Sequence, residues 1–389
     1  MLRVFEAFSG IGTQRMALRN LGIEHEVVGI SEIDGAALKS YEAIHGDCPN
    51  FGDISKVNPI DLPDFDLFTY SFPCQDLSIA GQLKGLERNQ TRSGLLYECE
   101  KIIEAKRPKF LLLENVKNLV GSKFRPSFEA WLSYLESLGY TNYWKVLNAK
   151  DFNVPQNRER VFVVSILGDH QPYEFPQAIP LTQCVHDLLE EEVEERFYVN
   201  LPLRLSPDYL TQSKPAVLRQ ERTVYGKAIR KQYEAGLIQE KRSNMREFKP
   251  RPDGLSNTLT TVQKDNYLVE PKLWFVGGIG TKDWAGDGKC YSRNFPQGNR
   301  VYDSLGIACT QTAQGGGLGS YTGLYCVEDL PDYRVRKLTP LECWRLMGFL
   351  DEDFEKASQV VPQTQLYRQA GNAIVVPVLE GLFCQLFLK

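Results

Sequence analysis

The chain has 389 residues, 42% of them hydrophobic and 24% charged, with a formal net charge of −4. That length supports a full core and two domains, and the composition excludes disordered, fibrous and membrane-embedded classes. Nine cysteines without a Cys-x-x-Cys pair, and four histidines (25, 45, 170 and 186) without ligand spacing, argue against a bound metal.

Up to Ile166 the chain alternates strand-like and helix-like patterns. Apolar runs predict strands at Arg3–Phe8, Glu26–Ile30, Leu67–Tyr70, Phe110–Leu113, Tyr143–Leu147 and Val161–Ile166. Helical patterns fill the gaps at Gln14–Asn20, Gly35–His45, Leu95–Ala105 and Ser127–Leu138. Alternating units of this kind imply an α/β fold, a mostly parallel doubly wound sheet with its ligand site at the carboxyl ends of the strands. The chain enters its first strand at once and carries no signal-peptide pattern, so reduced thiols and a cytoplasmic location are expected.

The first strand empties into Phe8-Ser9-Gly10-Ile11-Gly12, a turn whose glycines let backbone approach a ligand. Glu32 follows about 20 residues later, at the end of the second strand, where a carboxylate can hold ribose hydroxyls. Asp53-Ile54 could face an adenine. These contacts suit a nicotinamide dinucleotide or S-adenosylmethionine, but Arg15 stands where a dinucleotide fingerprint has its third glycine. Pro73-Cys74-Gln75 lies just past the third strand, and Glu114-Asn115-Val116 ends the fourth. A thiol there becomes a nucleophile if nearby cations lower its pKa, and Arg158 and Arg160, in Gln156-Asn157-Arg158-Glu159-Arg160, could supply them. Buried Glu114 could act as an acid or grip an amino group.

Beyond Gly168 prolines break the alternation, and glycine-rich segments predict short strands and long loops. From Leu201 to Arg251 twelve Lys or Arg stand against five Asp or Glu, a basic stretch that is either a phosphate-binding face or a solvated surface. Helical patterning returns at Thr339-Pro340, a cap followed by proline at the first helical position. The apolar tail Ala373–Leu388 reads as a strand and a helix that dock back on the first domain.

Taken in order, these motifs resemble the DNA (cytosine-5)-methyltransferases of bacterial and phage restriction–modification systems. Arg336-Lys337-Leu338-Thr339-Pro340-Leu341-Glu342 and Gly371-Asn372-Ala373-Ile374-Val375 extend the resemblance toward the C-terminus. It implies a discontinuous catalytic domain, residues 1–168 plus 333–389, around a smaller, irregular β-rich target-recognition domain, residues 169–332. It also implies S-adenosylmethionine as methyl donor, with no metal. Phe8, Gly10, Ile11, Gly12, Glu32, Ile33, Asp53, Ile54, Pro73, Asn372 and Ile374 would hold that donor. Ile33 replaces the aromatic residue many members carry, so its adenine contact should be weaker.

The implied reaction flips a cytosine out of the duplex, adds the Cys74 thiolate to carbon 6, and methylates carbon 5 while Glu114 holds the N3 edge. Arg160 would support the cytosine carbonyl, and Arg158 would order the site or a phosphate. Gln75, Ser78 and Arg92 on a closing loop, with Gln156, Arg219, Arg222, Lys227, Thr258 and Leu259, would contact DNA. The expected partners are double-stranded DNA and a cognate restriction endonuclease, for a monomeric enzyme with no membrane attachment. The alternatives are the same chemistry on a tRNA cytosine and, from another class, a nicotinamide-dependent oxidoreductase.

Overall fold

A computed structural model describes residues 1–73, 92–197, 203–205, 217–222, 224–234, 236–240, 245–251, 266–267, 275–279, 300–304, 308–309, 324–326, 335–336 and 338–389. Its centre is a six-stranded sheet in the order β2-β1-β3-β4-β6-β5. The strands are β1 (Leu2–Ala7), β2 (His25–Ser31), β3 (Leu67–Tyr70), β4 (Phe110–Val116), β5 (Tyr140–Asn148) and β6 (Glu159–Leu167). Pairings from β2 through β4 are parallel, whereas β6 runs antiparallel to both β4 and β5. One strand is therefore reversed in an otherwise parallel sheet.

Successive strand residues enter opposite cores, as the two-residue period of a strand requires. Val4, Leu67, Leu112, Phe162 and Val164 pack on one face. Phe5, Phe68, Leu111, Leu113, Val161 and Val163 pack on the other. Both faces are buried, which is why these strands read as unbroken apolar runs. Helices α1 (Thr13–Asn20) and α2 (Gly35–His45) place Met16, Leu18 and Tyr41 in the first core. Helices α3 (Leu96–Lys106) and α4 (Arg125–Ser137) place Ile102, Ile103, Trp131 and Leu135 in the second. Asp34 caps α2 by accepting from the Ala36 and Ala37 amides.

Past the sheet, two short helices, α5 (Val224–Ala228) and α6 (Arg230–Glu234), accompany eight short strands among the described residues. Leu203–Leu205, Phe275–Ile279, Arg300–Asp303, Leu324–Cys326 and Val335–Arg336 make one small sheet; Val217–Arg222, Arg246–Arg251 and Asn266–Tyr267 make another. Tyr173, Val185 and Phe197 join the first core of the main sheet. The stretch after Gly168 thus begins by packing on the main sheet.

The C-terminal helices are α7 (Pro340–Arg345), α8 (Asp351–Ser358), α9 (Gln363–Asn372) and α10 (Val376–Phe387). Thr339 and Glu342 form a reciprocal capping box at α7, with Pro340 in its first turn. These helices dock on the N-terminal ones. Arg19 of α1 grips buried Asp353 of α8 at 2.9 and 2.6 Å, and Asn20 donates to Glu380 of α10 at 2.8 Å. Gln369 of α9 donates to the Ala36 carbonyl and the Ser40 hydroxyl of α2. The strand expected within the tail is absent: residues 373–375 are a connector, and Pro377 sits in the first turn of α10. Among the described residues no single helix is long and apolar enough to cross a membrane.

Candidate active site

The turn from β1 to α1 is shaped by three left-handed residues, Phe8 (φ 55°), Gly10 (φ 56°) and Gly12 (φ 76°). A Cβ on Gly10 would meet open space, so glycine is needed there for its backbone angle rather than for room. Glu32 staples this turn to the end of β2. One carboxylate oxygen accepts from the Gly10 amide at 2.9 Å, and the other accepts from the Ile33 and Asp34 amides at 2.8 Å each. Asn50 brackets Glu32 from both sides of its backbone. Asp53 accepts from the Ser55 amide and hydroxyl, which hold its carboxyl below the usual range. Ile54 and Ile11 are buried, whereas Ile33 is 75% exposed and free to lie against a flat ligand.

An adenosyl cofactor fits this cradle. The Ser9 hydroxyl is buried in the turn with no hydrogen-bonding partner among the described residues, a polar atom that a polar ligand would satisfy. The Glu32 and Asp53 carboxylates, acceptors suited to hydroxyl and amino donors, belong to segments joined by the Phe51 to Ile30 backbone hydrogen bond.

The candidate chemical end of the site lies at β3, β4 and β6. Because β6 is antiparallel, its first residues lie beside the last residues of β4, with Arg160 opposite Val116 and Phe162 opposite Glu114. Arg160 Nε stands 3.2 Å from Glu114 Oε1. Burial pushes the Glu114 carboxyl above its ordinary pKa, against the opposing pull of Arg160 and Arg158. Next in the strand, Asn115 is buried and donates to the Phe72 carbonyl at 3.0 Å. Half-buried Pro73 follows Phe72. Cys74, Gln75 and Ser78 lie outside the described residues, as do Thr258 and Leu259.

Arg158 is buried and donates through Nη2 to the Gly371 and Ala373 carbonyls at 3.1 and 2.8 Å. It therefore orders the segment containing Asn372, which is exposed, and Ile374, which is buried; a phosphate contact is not its place. Gln156 needs a larger correction. Expected to touch DNA, it is fully buried and donates to the Leu346 carbonyl at 2.7 Å. Its flanking backbone is bridged to Ala308, joining the loop before β6 to the chain past Gly168. Lys227 is exposed on α5, while Arg219 and Arg222 lie on the strand Val217–Arg222 and Arg92 in the turn Arg92–Leu95. Sequence reasoning missed Asn115 and Ser9; a polar residue straight after an apolar run was the available signal for the first.

A family model described as C-5 cytosine-specific DNA methylase matches residues 2–387. The type II methyltransferase M2.ScrFI of Lactococcus lactis subsp. cremoris is 38% identical, the match covering 100% of this chain and 99% of that protein. The orphan methyltransferase M.Rho11sI of Bacillus phage rho11s is 32% identical over 99% of this chain and 97% of its own length. Among solved structures, the S. pombe Dnmt2 methyltransferase superposes with a TM-score of 0.63 at 19% identity, covering 100% and 99% of the two chains. That likeness concerns the fold.

Proposed function

The chain belongs to the C-5 cytosine-specific DNA methylases and methylates cytosine carbon 5 in DNA, and from that premise we propose that it works through a covalent Cys74 intermediate. S-adenosylmethionine, held by the turn at residues 8–12 with Glu32, Ile33, Asp53 and Ile54, supplies an electrophilic methyl group on its sulfonium. The observation that carries the reading is the Asn115–Phe72 hydrogen bond. It ties the strand bearing Glu114 to the residue two places before Cys74.

In this reading the Cys74 thiolate bonds to carbon 6 of a flipped-out cytosine, and the 5,6 electron pair is displaced toward carbon 5 and N3. Glu114, its pKa raised by burial, donates a proton or hydrogen bond to N3 and stabilises that charge. Arg160, 3.2 Å from Glu114, orients the carboxyl and supports the cytosine carbonyl. Carbon 5 then takes the methyl group as the sulfonium carbon–sulfur bond breaks. Loss of the carbon 5 proton returns an electron pair to the ring and expels Cys74.

The same reading divides the chain into a catalytic domain, residues 1–168 with 333–389, and a recognition domain, residues 169–332. Arg219, Arg222 and Lys227 contact phosphates, Thr258 and Leu259 approach base edges, and Gln75, Ser78 and Arg92 close over the target. It further assigns a monomer paired functionally with a restriction endonuclease.

A duplex carrying 5-fluorocytosine at the target tests the chemistry, because fluorine cannot leave as the proton does. Incubated with S-adenosylmethionine, the protein should form an adduct that survives denaturing electrophoresis, and Cys74→Ala should form none. Methyl transfer without an adduct would sink the covalent route, and labelling of tRNA alone would reassign the substrate.

A further inference from the structure

Beneath the cofactor turn lies a buried polar cluster that the chemistry above does not use. Glu6, on central strand β1, is fully buried, and its Oε1 accepts no hydrogen bond among the described residues. Its Oε2 accepts from the Tyr41 hydroxyl at 3.0 Å. That hydroxyl accepts in turn from Arg15 Nη1 at 3.5 Å, and the Arg15 guanidinium carbon lies 5.8 Å from the Tyr41 ring centre. One helical turn beyond Tyr41, on the same face of α2, His45 packs its ring 4.8 Å from the tyrosine ring. His45 Nε2 lies 3.1 Å from the Ile11 carbonyl. A carbonyl only accepts, so Nε2 carries the proton and the bond runs from the imidazole into the turn. Burial, with the Arg15 charge, pushes this imidazole down to about 3, which leaves it neutral at working pH.

Gly12 shows how closely the two rings support the turn. A Cβ there would fall 2.6 Å from both His45 Nε2 and Tyr41 Cε2. The second glycine is thus dictated from the protein side, by the rings it rests on. Arg15, which distinguishes this turn from a dinucleotide fingerprint, is part of the same support.

We infer that Glu6, Tyr41 and His45 form a brace that sets the shape of the turn at residues 8–12 and thereby the affinity for the methyl donor, with His45 as the positioning residue in contact with the turn. The inference rests on that turn being the cofactor cradle. It goes beyond that reading by assigning donor affinity to side chains that do not line the cradle.

The test measures S-adenosylhomocysteine binding by calorimetry on the whole protein, beside steady-state methylation of duplex DNA. His45→Phe keeps a ring and removes the N–H; His45→Gln restores a donor near the position of Nε2. His45→Phe should weaken binding about tenfold, the order expected for an unpaired buried carbonyl, and raise the KM for S-adenosylmethionine while kcat falls less than about twofold. His45→Gln should recover most of the affinity. Wild-type affinity in His45→Phe, or equal weakness in the two variants, would overturn the brace. Should His45→Phe lack a cooperative melt, Tyr41→Phe, which loses only the hydroxyl, decides: unchanged affinity overturns the inference and weakened affinity sustains it. Glu32→Ala separates the two layers. If it leaves binding intact, the cradle reading is wrong; if it abolishes binding while His45→Phe does nothing, only the brace is wrong.

Discussion

The two ends of the sheet's carboxyl edge are built on different plans. At β1 and β2 the cradle is a main-chain surface gathered by one carboxylate, with Glu32 accepting three backbone amides and Phe8 donating to the Ser31 carbonyl. At β4 and β6 the site is held by side chains reaching across the fold: Arg160 to Glu114, Asn115 to Phe72, and Arg158 to Gly371 and Ala373. A cofactor of constant shape can be met by a preformed backbone surface. A ring that gains charge during the reaction needs a group that can give up a proton at a particular atom, which a titratable side chain supplies and a peptide amide does not.

If that contrast is right, the two ends should fail differently. Glu114→Gln keeps the shape of the chemical end but removes its acid, so kcat should fall by roughly 10²–10⁴-fold with cofactor affinity unchanged. A loss confined to KM would erase the contrast. Glu6, under the other end, should act on stability. Burial raises its carboxyl from 4.5 to about 7, partly offset by Tyr41 and Arg15. Between those values the folded state holds a proton that the unfolded chain has lost, so stability falls as pH rises from about 4.5 through about 7. The full difference is about 3 kcal/mol, and Glu6→Gln should flatten that slope in urea melts across the window. An identical slope in the variant would place the titration elsewhere.

Smaller effects sharpen the picture. Asn115→Ala leaves the Phe72 carbonyl without its buried donor and should lower stability by about 2 kcal/mol in the same melts. It should also slow methyl transfer, because the approach to Cys74 loses its anchor; full activity would detach Asn115 from the chemistry. Lys227→Ala, on an exposed helix, should reduce the log–log salt slope of DNA affinity by about 1 and leave kcat alone. An unchanged slope would move the phosphate contacts off that face.

Much of this was legible in residue order. The span Leu67–Tyr70 agrees at both ends because every residue of it is buried, and Gly35–His45 because Asp34 caps it. Glu114 and the turn at residues 8–12 stood out as breaks in apolar runs, and they lie near the end of β4 and just past β1. Gln156 did not: an amide between two loops reads as an exposed contact until its burial under Leu346 is seen.

Residue order marked most of the elements and their sequence, because burial on both sheet faces leaves unbroken apolar runs in the chain. Tertiary structure alone decided that β6 runs backwards. With both faces of the sheet covered, parallel and antiparallel strands leave the same apolar runs, so strand composition alone does not distinguish them. That reversal brings Arg160 to Glu114, and helix packing likewise set Tyr41 and His45 beneath Gly12. Proximity between residues far apart in the chain is a property of packing, and in this protein it brings Arg160 to Glu114 and the Tyr41 and His45 rings to Gly12.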